Sequence, residues 1–215
     1  ERNPQVIYVY LSTGAVYGST YAEAATKDSR FSVAVNGLSA QDYYPLAKLT
    51  AEAKHRTLAE LLIADIRIFG YFSRHMKLDG GFFLSELAGC VLSGEVFRTD
   101  SRDFVRDYIS SDELTSLVLA LIEGRGGNGA YDIYSAAPVT KFELLHQLEQ
   151  NFDLRFELET SDYETMAPLR KPARISEHRA AESIGYVPRR TSSEIVLREL
   201  EAMSRVSNRR DSSVA

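Results

Sequence analysis

Six consecutive residues near the start of the chain, Val6 to Leu11, are β-branched, aromatic or aliphatic at both odd and even positions. A strand with one face in water alternates apolar and polar residues, so this run predicts a strand buried on both faces, as in parallel sheets. Pro45 then suits the first turn of a helix, and helix formers fill 46–62. Because Ile63 to Phe69 is a second apolar run, the order predicts a parallel βαβ unit.

Beyond Tyr71 the pattern becomes a mixture of short helices and strands. Apolar residues recur at helical spacing in 82–93, 112–123, 141–151, 176–184 and 192–204. Short β-branched or aromatic runs predict strands at 95–98, 104–109, 130–134 and 154–159. The βαβ beginning is therefore followed by a smaller α+β portion, and the polar end from Ser204 to Ala215 predicts a frayed tail.

Composition narrows the classes of function. Hydrophobic residues make up 44% and charged residues 26% of the 215 positions, the balance of an ordinary folded domain. The 25 basic and 30 acidic residues give a net charge of −5, which disfavours binding to nucleic acid or to an anionic membrane. With Cys90 as the single cysteine and four histidines that lack metal-ligand spacing, we expect neither disulfide nor metal site. These features indicate a cytoplasmic protein.

The candidate chemistry begins with Tyr44 and Lys48, four residues apart at the start of the predicted helix. Residues at this spacing share one helical face, so the phenol and the ammonium can point into one site. A nearby cation favours the phenolate, which could then exchange a proton with a sugar hydroxyl. Taken alone, the pair fits better an interfacial tyrosine beside a surface lysine.

Hydroxyl groups at the end of the first predicted strand supply a further candidate. The strand ends in Ser12-Thr13-Gly14, and open α/β sheets bind ligands at the carboxyl ends of their parallel strands. Thr13 could hydrogen-bond the same hydroxyl that Tyr44 deprotonates. The competing use of Thr13 is to cap the local backbone of the turn.

Four motifs follow one another along the chain at informative spacings. They are Thr13-Gly-Ala-Val-Tyr-Gly18, Tyr44-Pro-Leu-Ala-Lys48, Ile66-Arg-Ile-Phe-Gly70 and Arg106-Asp-Tyr-Ile109. Together they resemble the extended short-chain dehydrogenase/reductases, and more narrowly the NAD-dependent epimerase/dehydratase family that acts on nucleotide sugars. Residues 129–134 with the helix that follows, and Ser176 to Pro188, are also similar to segments of that family. The resemblance extends from about Val6 to about Met203.

The resemblance implies a role for each matched residue on the cofactor side. Tyr44 would be the catalytic acid–base, and Thr13 would hydrogen-bond the reacting hydroxyl. Lys48 would bind the nicotinamide ribose and favour the phenolate form of Tyr44. Phe69 matches a residue whose backbone lies near the nicotinamide. The implied cofactor is NAD or NADP.

The resemblance also implies a nucleotide-diphosphate sugar as substrate and a homodimer as assembly. Arg106 matches an arginine that holds the diphosphate, which suits the planar fork of a guanidinium; the alternative is a surface ion pair with Asp103 or Asp107. Arg170 would be a second phosphate ligand. The helix at 44–62 would form the dimer interface, with packing against the sheet as its competing use.

The largest departure from the family is the absence of its initial Gly-x-x-Gly-x-x-Gly turn, which holds the dinucleotide pyrophosphate. Glycine-rich 124–129 follows a predicted helix and precedes a strand, so we interpret it as a connector. The expected fold is therefore α/β, a Rossmann-like parallel sheet without its N-terminal half, plus a small α+β substrate lobe. The predicted divisions are 1–72 for the cofactor domain, 73–204 mainly for the lobe interleaved with the last sheet strands, and 205–215 for the tail.

Two smaller departures narrow the expected reaction. Dehydratases of the family have Asp-Glu after the catalytic threonine, whereas Gly14-Ala15 stand here, which argues against 4,6-dehydration. Gly70 replaces an asparagine that contacts substrate in many members. The sequence thus predicts an NAD(P)-dependent nucleotide-sugar epimerase or reductase. The alternative is a non-catalytic relative, or an inactive fragment, that binds a ligand or partner through the same cleft.

Overall fold

The computed structural model describes residues 6–18, 23–159 and 172–211, without the side chains of Arg125 and 207–211. Its strands are β1 (Ile7–Thr13), β2 (Leu62–Ile68), β3 (Phe97–Asp100), β4 (Val105–Arg106), β5 (Gly129–Ile133), β6 (Val139–Thr140), β7 (Phe156–Glu159) and β8 (Ala173–Arg174). Its α-helices are α1 (Ala40–Arg56), α2 (Phe83–Ser93), α3 (Ser111–Ala120), α4 (Lys141–Phe152) and α5 (Ser192–Asp211).

The central sheet has the order β1-β2-β5, and its three strands are parallel. Helix α1 connects β1 to β2, so the predicted parallel βαβ unit and the α/β fold class are confirmed. The prediction that β1 is buried on both faces is wrong, because Tyr8 is 53% and Leu11 is 48% exposed. The register aligns Ser12 with Arg67 and Arg67 with Asp132. Strand β5 comes from much later in the chain, so the sheet places residues beyond position 128 in the same layer as β1.

Two smaller sheets complete the described strands. Strands β3 and β7 pair in parallel, while β4 lies between β6 and β8, antiparallel to β6 and parallel to β8. The strand predicted at 104–109 is shorter, because β4 ends at Arg106 and only an isolated bridge joins Tyr71 to Ile109. Glycine-rich 124–129 joins α3 to β5, as the connector interpretation predicted.

Helix α1 corrects the prediction of a helix at 46–62. The Asp42 carboxylate accepts a hydrogen bond from the Ser39 backbone N–H at 2.8 Å, which caps a helix that begins at Ala40. Pro45 therefore lies inside the helix instead of in its first turn. The helix ends at Arg56, where His55 and Arg56 both contact the Asp65 carboxylate in β2.

Two other helix predictions also differ from the structure. The segment 176–184 is helical only as a 3₁₀ turn at Ala180–Ile184. Helix α5 continues to Asp211 instead of ending at 204, so part of the predicted frayed tail is helical. An acidic first turn with Glu194 and an apolar inner face that includes Leu200 are consistent with a stable helix here.

The hydrophobic interior consists of two clusters. One lies among α2, α4 and α5 and includes the fully buried Leu87, Leu145 and Leu200. The other lies between the central sheet and α3 and includes Ile66 and Ile133. Neither cluster includes a residue of α1, whose buried residues are a proline and a glutamate. The helix that carries the predicted acid–base contacts the sheet through polar side chains that include Lys48, Glu52 and His55.

Candidate active site

A cleft of about 190 Å³ opens at the carboxyl ends of β1 and β2, beside the first half of α1. Three of the predicted site residues line it together, namely Thr13, Tyr44 and Phe69. They come from a strand end, a helix and the residue after a second strand. Ligand clefts of open α/β sheets lie at this edge, because the strand ends and the turns that follow them meet there.

Thr13 is the last residue of β1 and the cap of the short turn Gly14–Tyr17. Its side-chain oxygen accepts a hydrogen bond from the Ala15 backbone N–H at 3.2 Å. The structure thus shows the local capping use that the sequence left open. This bond uses only one acceptor position of the Thr13 hydroxyl group. The hydroxyl can therefore still donate its own proton to a ligand oxygen in the cleft.

Tyr44 lies in the second turn of α1 with 53% of its surface exposed. It lines the cleft, as does Gln41 one turn before it on the helix. The exposure means that a substrate hydroxyl can reach the phenolic oxygen without a rearrangement of the fold.

Lys48 lies near Tyr44 but does not line the cleft. Its ammonium is 5.9 Å from the centre of the Tyr44 ring and 4.6 Å from the centre of the Tyr10 ring. It donates a hydrogen bond to the Leu11 carbonyl oxygen at 2.8 Å. An ammonium has three donors, so this bond fixes Lys48 beside Tyr44 and leaves two N–H groups for a ligand.

Phe69 lines the cleft, and its ring is close enough to Gly14 to disfavour a larger residue at that position. Its ring stacks on that of Tyr17, with centroids 6.0 Å apart and planes 26° apart. A Cβ atom on Gly14 would lie 2.5 Å from the Phe69 ring. The turn after β1 and the residue after β2 therefore touch without room for another atom.

Arg106 lies beside the cleft and does not line it. Its Nη1 donates to the carbonyl oxygens of Val105 and Pro172 at 2.8 and 3.2 Å, and its guanidinium lies 4.3 Å from the Phe104 ring centre. In the β4–β8 pair it aligns with Arg174, which is exposed and lines the cleft. The two arginines thus approach the same edge from neighbouring strands.

Sequence reasoning missed Arg174 and Gln41. Strand β8 has two residues, too few for a hydrophobic period, so nothing marked Arg174 as a neighbour of Arg106. A signal for Gln41 was present, because it lies three residues before Tyr44 on the same helical face. Arg170, predicted as a phosphate ligand, lies outside the described residues.

The fold was compared with those of known proteins. No protein-family model and no curated protein sequence gives a significant match. Solved structures do: UDP-glucose 4-epimerase from Thermotoga maritima with UDP-glucose (17% identity, TM-score 0.70), and dTDP-glucose 4,6-dehydratase from Bacillus anthracis with NAD (15%, 0.71). The structure of RMD from Pseudomonas aeruginosa with NADPH is similar too (18%, 0.68). At these identities the likeness shows a shared fold, that of nucleotide-sugar epimerases and dehydratases, as the resemblance predicted.

The match covers most of this chain and a smaller share of the others. It includes 92% of this chain and 63% of the epimerase, 95% and 63% for the dehydratase, and 94% and 67% for RMD. Among the described residues, no cluster of three or more His, Cys, Asp or Glu side chains could hold a metal ion. None of the helices in the described part of the chain combines the length and apolar character that crossing a bilayer requires.

Proposed function

We propose that the cleft binds a nucleotide-diphosphate sugar and that Tyr44 is the acid–base of an NAD(P)-dependent oxidoreduction at a sugar carbon, in an epimerase or reductase. One observation carries the proposal: Thr13, Tyr44 and Phe69 line a single cleft at the carboxyl ends of two parallel strands. The shared fold supports it, because proteins of this fold are crystallised with nucleotide sugars and with NAD or NADPH.

The described residues fit the nicotinamide end of such a cofactor. Lys48 has two N–H groups that the Leu11 carbonyl does not use and could hold ribose hydroxyls, while Phe69 offers an apolar wall. Within 6–18, 23–159 and 172–211 there is no glycine-rich turn between a strand and a helix for the pyrophosphate. A bound nicotinamide would accept or supply a hydride at its C4 carbon.

Proton transfer is the task of Tyr44 in this proposal. The phenolate oxygen takes the proton of a sugar hydroxyl as the carbon–hydrogen bond of that carbon breaks, which leaves a ketone. Thr13 orients the hydroxyl by hydrogen bonding, since its backbone bond uses only an acceptor position. In the reverse step Tyr44 returns the proton to the carbonyl oxygen. The face of the carbonyl carbon to which a hydride returned would decide whether the configuration of that carbon is restored or inverted.

The charge of the substrate would be met by arginines. Arg174 lines the cleft together with Tyr44, and Arg106 is its register partner in the strand pair, so two arginines on neighbouring strands define a basic edge of the cleft. Guanidinium groups pair with phosphate oxygens through two parallel N–H donors. This edge, in place of the Arg106 and Arg170 pair expected from the sequence, is the proposed diphosphate contact.

The structure adds a physical argument about the reaction type. An acidic side chain at position 14 would collide with Phe69, because even a Cβ there would be 2.5 Å from the ring. An acid at this position that protonates a leaving hydroxyl would therefore require Phe69 or the turn to shift. This supports epimerisation or keto reduction over 4,6-dehydration.

Turnover of nucleotide sugars tests the proposal. The chain is incubated with NAD or NADP and a panel of UDP- and dTDP-sugars, with proton NMR of the sugar and absorbance of the reduced cofactor as readouts. We expect conversion of at least one sugar and about a 100-fold lower kcat for Lys48→Met. Lys54→Met, a change on the same helix away from the cleft, is the control. No conversion, or equal effects of the two changes, would contradict the proposal.

We also propose a homodimer through α1. A groove on its outer face is lined by Leu38, Tyr43 and Leu46, and Tyr43 is 77% exposed. Exposed apolar surface of this kind often marks an interface between proteins. The groove lies on the helix face away from the cleft, so a partner there would leave Tyr44 accessible.

A further inference from the structure

A row of polar side chains crosses the central sheet one position before the candidate site. Ser12, Arg67 and Asp132 are register partners on β1, β2 and β5, and each is largely buried. The next row along the strands contains Thr13. Buried charges are costly unless they are paired and hydrogen-bonded, so the contacts of this row with its surroundings indicate what it does.

Glu52 joins α1 to this row. It lies four residues after Lys48 and eight after Tyr44, on the same helical face, and is 4% exposed. Its carboxylate accepts a hydrogen bond from the Ser12 hydroxyl at 2.5 Å and from Arg67 Nε at 3.1 Å and Nη2 at 2.5 Å. Glu52 is the buried charged residue of α1, and its carboxylate contacts two strands of the sheet at the level of the candidate site.

Arg67 extends the same network to the wall of the cleft. Its Nη1 donates to the Tyr17 hydroxyl at 2.8 Å, and Tyr17 donates to Asp132 at 2.8 Å. Burial and the nearby Asp132 raise the pKa of the Tyr17 phenol, which keeps it a donor. The Tyr17 ring supports Phe69, which in turn contacts Gly14.

We propose that Glu52 and Arg67 are positioning residues, which set the relative placement of Thr13, Tyr44 and Phe69 from beneath the cleft. Glu52 fixes α1, and with it Tyr44, relative to the strand residue that precedes Thr13. Arg67 fixes the Tyr17 ring behind Phe69. Both act through other residues. The inference rests on the proposed function, because positioning matters for catalysis only if Tyr44 and Thr13 act on a substrate.

The test compares two buried ion pairs of the same kind in the full chain. Glu199 accepts two hydrogen bonds from the Arg74 guanidinium, at 2.9 and 2.7 Å, and is 3% exposed, but it lies in α5 away from the cleft. Glu52→Gln and the control Glu199→Gln each remove one such charge. The readouts are kcat and KM with a nucleotide sugar, and amide hydrogen exchange of segments 7–18 and 40–56.

We expect Glu52→Gln to lower kcat about 100-fold with little change in KM, since a displacement of about 1 Å can cost that much. Amide exchange in both segments should rise about tenfold or more. Glu199→Gln should alter kcat by no more than about threefold. Any rise in its amide exchange should not be larger in segments 7–18 and 40–56 than in the other helices and strands. Glu52→Asp, which keeps the charge, should recover part of the lost kcat, and it replaces Glu52→Gln if that variant does not fold.

Equal losses of kcat in the two Gln variants, or unchanged exchange in Glu52→Gln, would overturn the inference. Failure of the proposed function looks different: the unmodified chain turns over no nucleotide sugar. In that case the exchange measurement still decides whether Glu52 holds the Thr13 turn and α1 in place.

Discussion

Single residues of the site show how tightly the backbone segments around the cleft approach one another. Gly14 touches Phe69, and a Cβ on Gly70 would lie 2.6 Å from the Asp107 carbonyl oxygen and 2.7 Å from the Tyr108 ring. The sequence marked both glycines as departures from a family pattern. The physical reason, absence of space, could not be predicted, because it depends on segments that are distant along the chain.

The Gly14 contact gives a prediction with a matched control. Gly14→Ala forces Phe69 or the turn to shift, and we expect a loss of about 1–3 kcal/mol in the free energy of unfolding. Gly89→Ala, in the interior of α2 with no atom within 4 Å of the added Cβ, should instead stabilise by about 0.5–1 kcal/mol. Urea denaturation of both variants measures these values. Equal effects of the same sign would contradict the close packing at Gly14.

Arg174 yields a prediction about binding at the residue scale. If its guanidinium meets the diphosphate, Arg174→Ala should weaken the binding of UDP about 10- to 100-fold, because a charge-assisted contact contributes about 1.5–3 kcal/mol. Titration calorimetry with UDP measures the change. Arg98→Ala is a suitable control, since Arg98 contacts Glu157 in the β3–β7 sheet. If Arg174→Ala binds UDP with unchanged affinity, Arg174 does not contact the diphosphate.

Among the elements, helix α1 was predicted correctly in its existence and incorrectly in its two ends. The spacing of Tyr44 and Lys48 placed them correctly on one helix. The start was wrong because proline was assigned to the first turn, although Ser39 and Asp42 three residues later form a capping pair that the sequence contains. The end was wrong because contacts of His55 and Arg56 with Asp65, a residue of the neighbouring strand, determine it.

Helix α5 offers a pH-dependent prediction. Hydrogen bonds from the Arg74 side chain lower the pKa of the Glu199 carboxyl from its ordinary value of 4.5. The folded state therefore binds fewer protons than the unfolded state, and this stabilisation is complete above about pH 4.5 and is lost as the pH falls through the lowered pKa. We expect Glu199→Gln to reduce the free energy of unfolding by about 1.5–3 kcal/mol at neutral pH.

Denaturation between about pH 7 and pH 3 measures this difference. The two unfolding free energies should converge as the pH falls, because protonated Glu199 no longer differs in charge from glutamine. A difference that stays constant over the whole range would show that the ion pair contributes nothing that depends on pH.

At the scale of the whole molecule, the long apolar runs of β1 and β2 correctly predicted two parallel strands, although β1 is exposed at Tyr8 and Leu11 and is not buried on both faces. The order β1-β2-β5 and the two small sheets were not predictable, because two-residue strands such as β4, β6 and β8 have no detectable period. The same limit concealed the pairing of Arg106 with Arg174. The proposed nucleotide-sugar chemistry was suggested by motifs at a strand end and on a helix, elements that the sequence predicts well.

The proposed homodimer belongs to this scale. We expect sedimentation equilibrium to give twice the 24.1 kDa mass of the chain. Tyr43→Glu would place a charge in the α1 groove and shift the equilibrium towards monomer, since burying an unpaired charge is costly. Tyr71→Glu, a change at another exposed tyrosine, serves as control. A monomer at all concentrations would contradict the proposal and leave the cleft assignment unaffected.

The most direct test of the central claim compares two adjacent tyrosines of α1. Tyr44 lines the cleft and Tyr43 does not, and both are exposed. The assay uses a nucleotide sugar found to be converted in the panel, and Tyr44→Phe should lower kcat about 100-fold or more, because in the proposal the phenolic oxygen moves the proton. Tyr43→Phe should leave kcat unchanged. Equal kcat values for Tyr44→Phe and the unmodified chain would contradict the assignment of Tyr44 as the acid–base and, with it, the proposed function of the cleft.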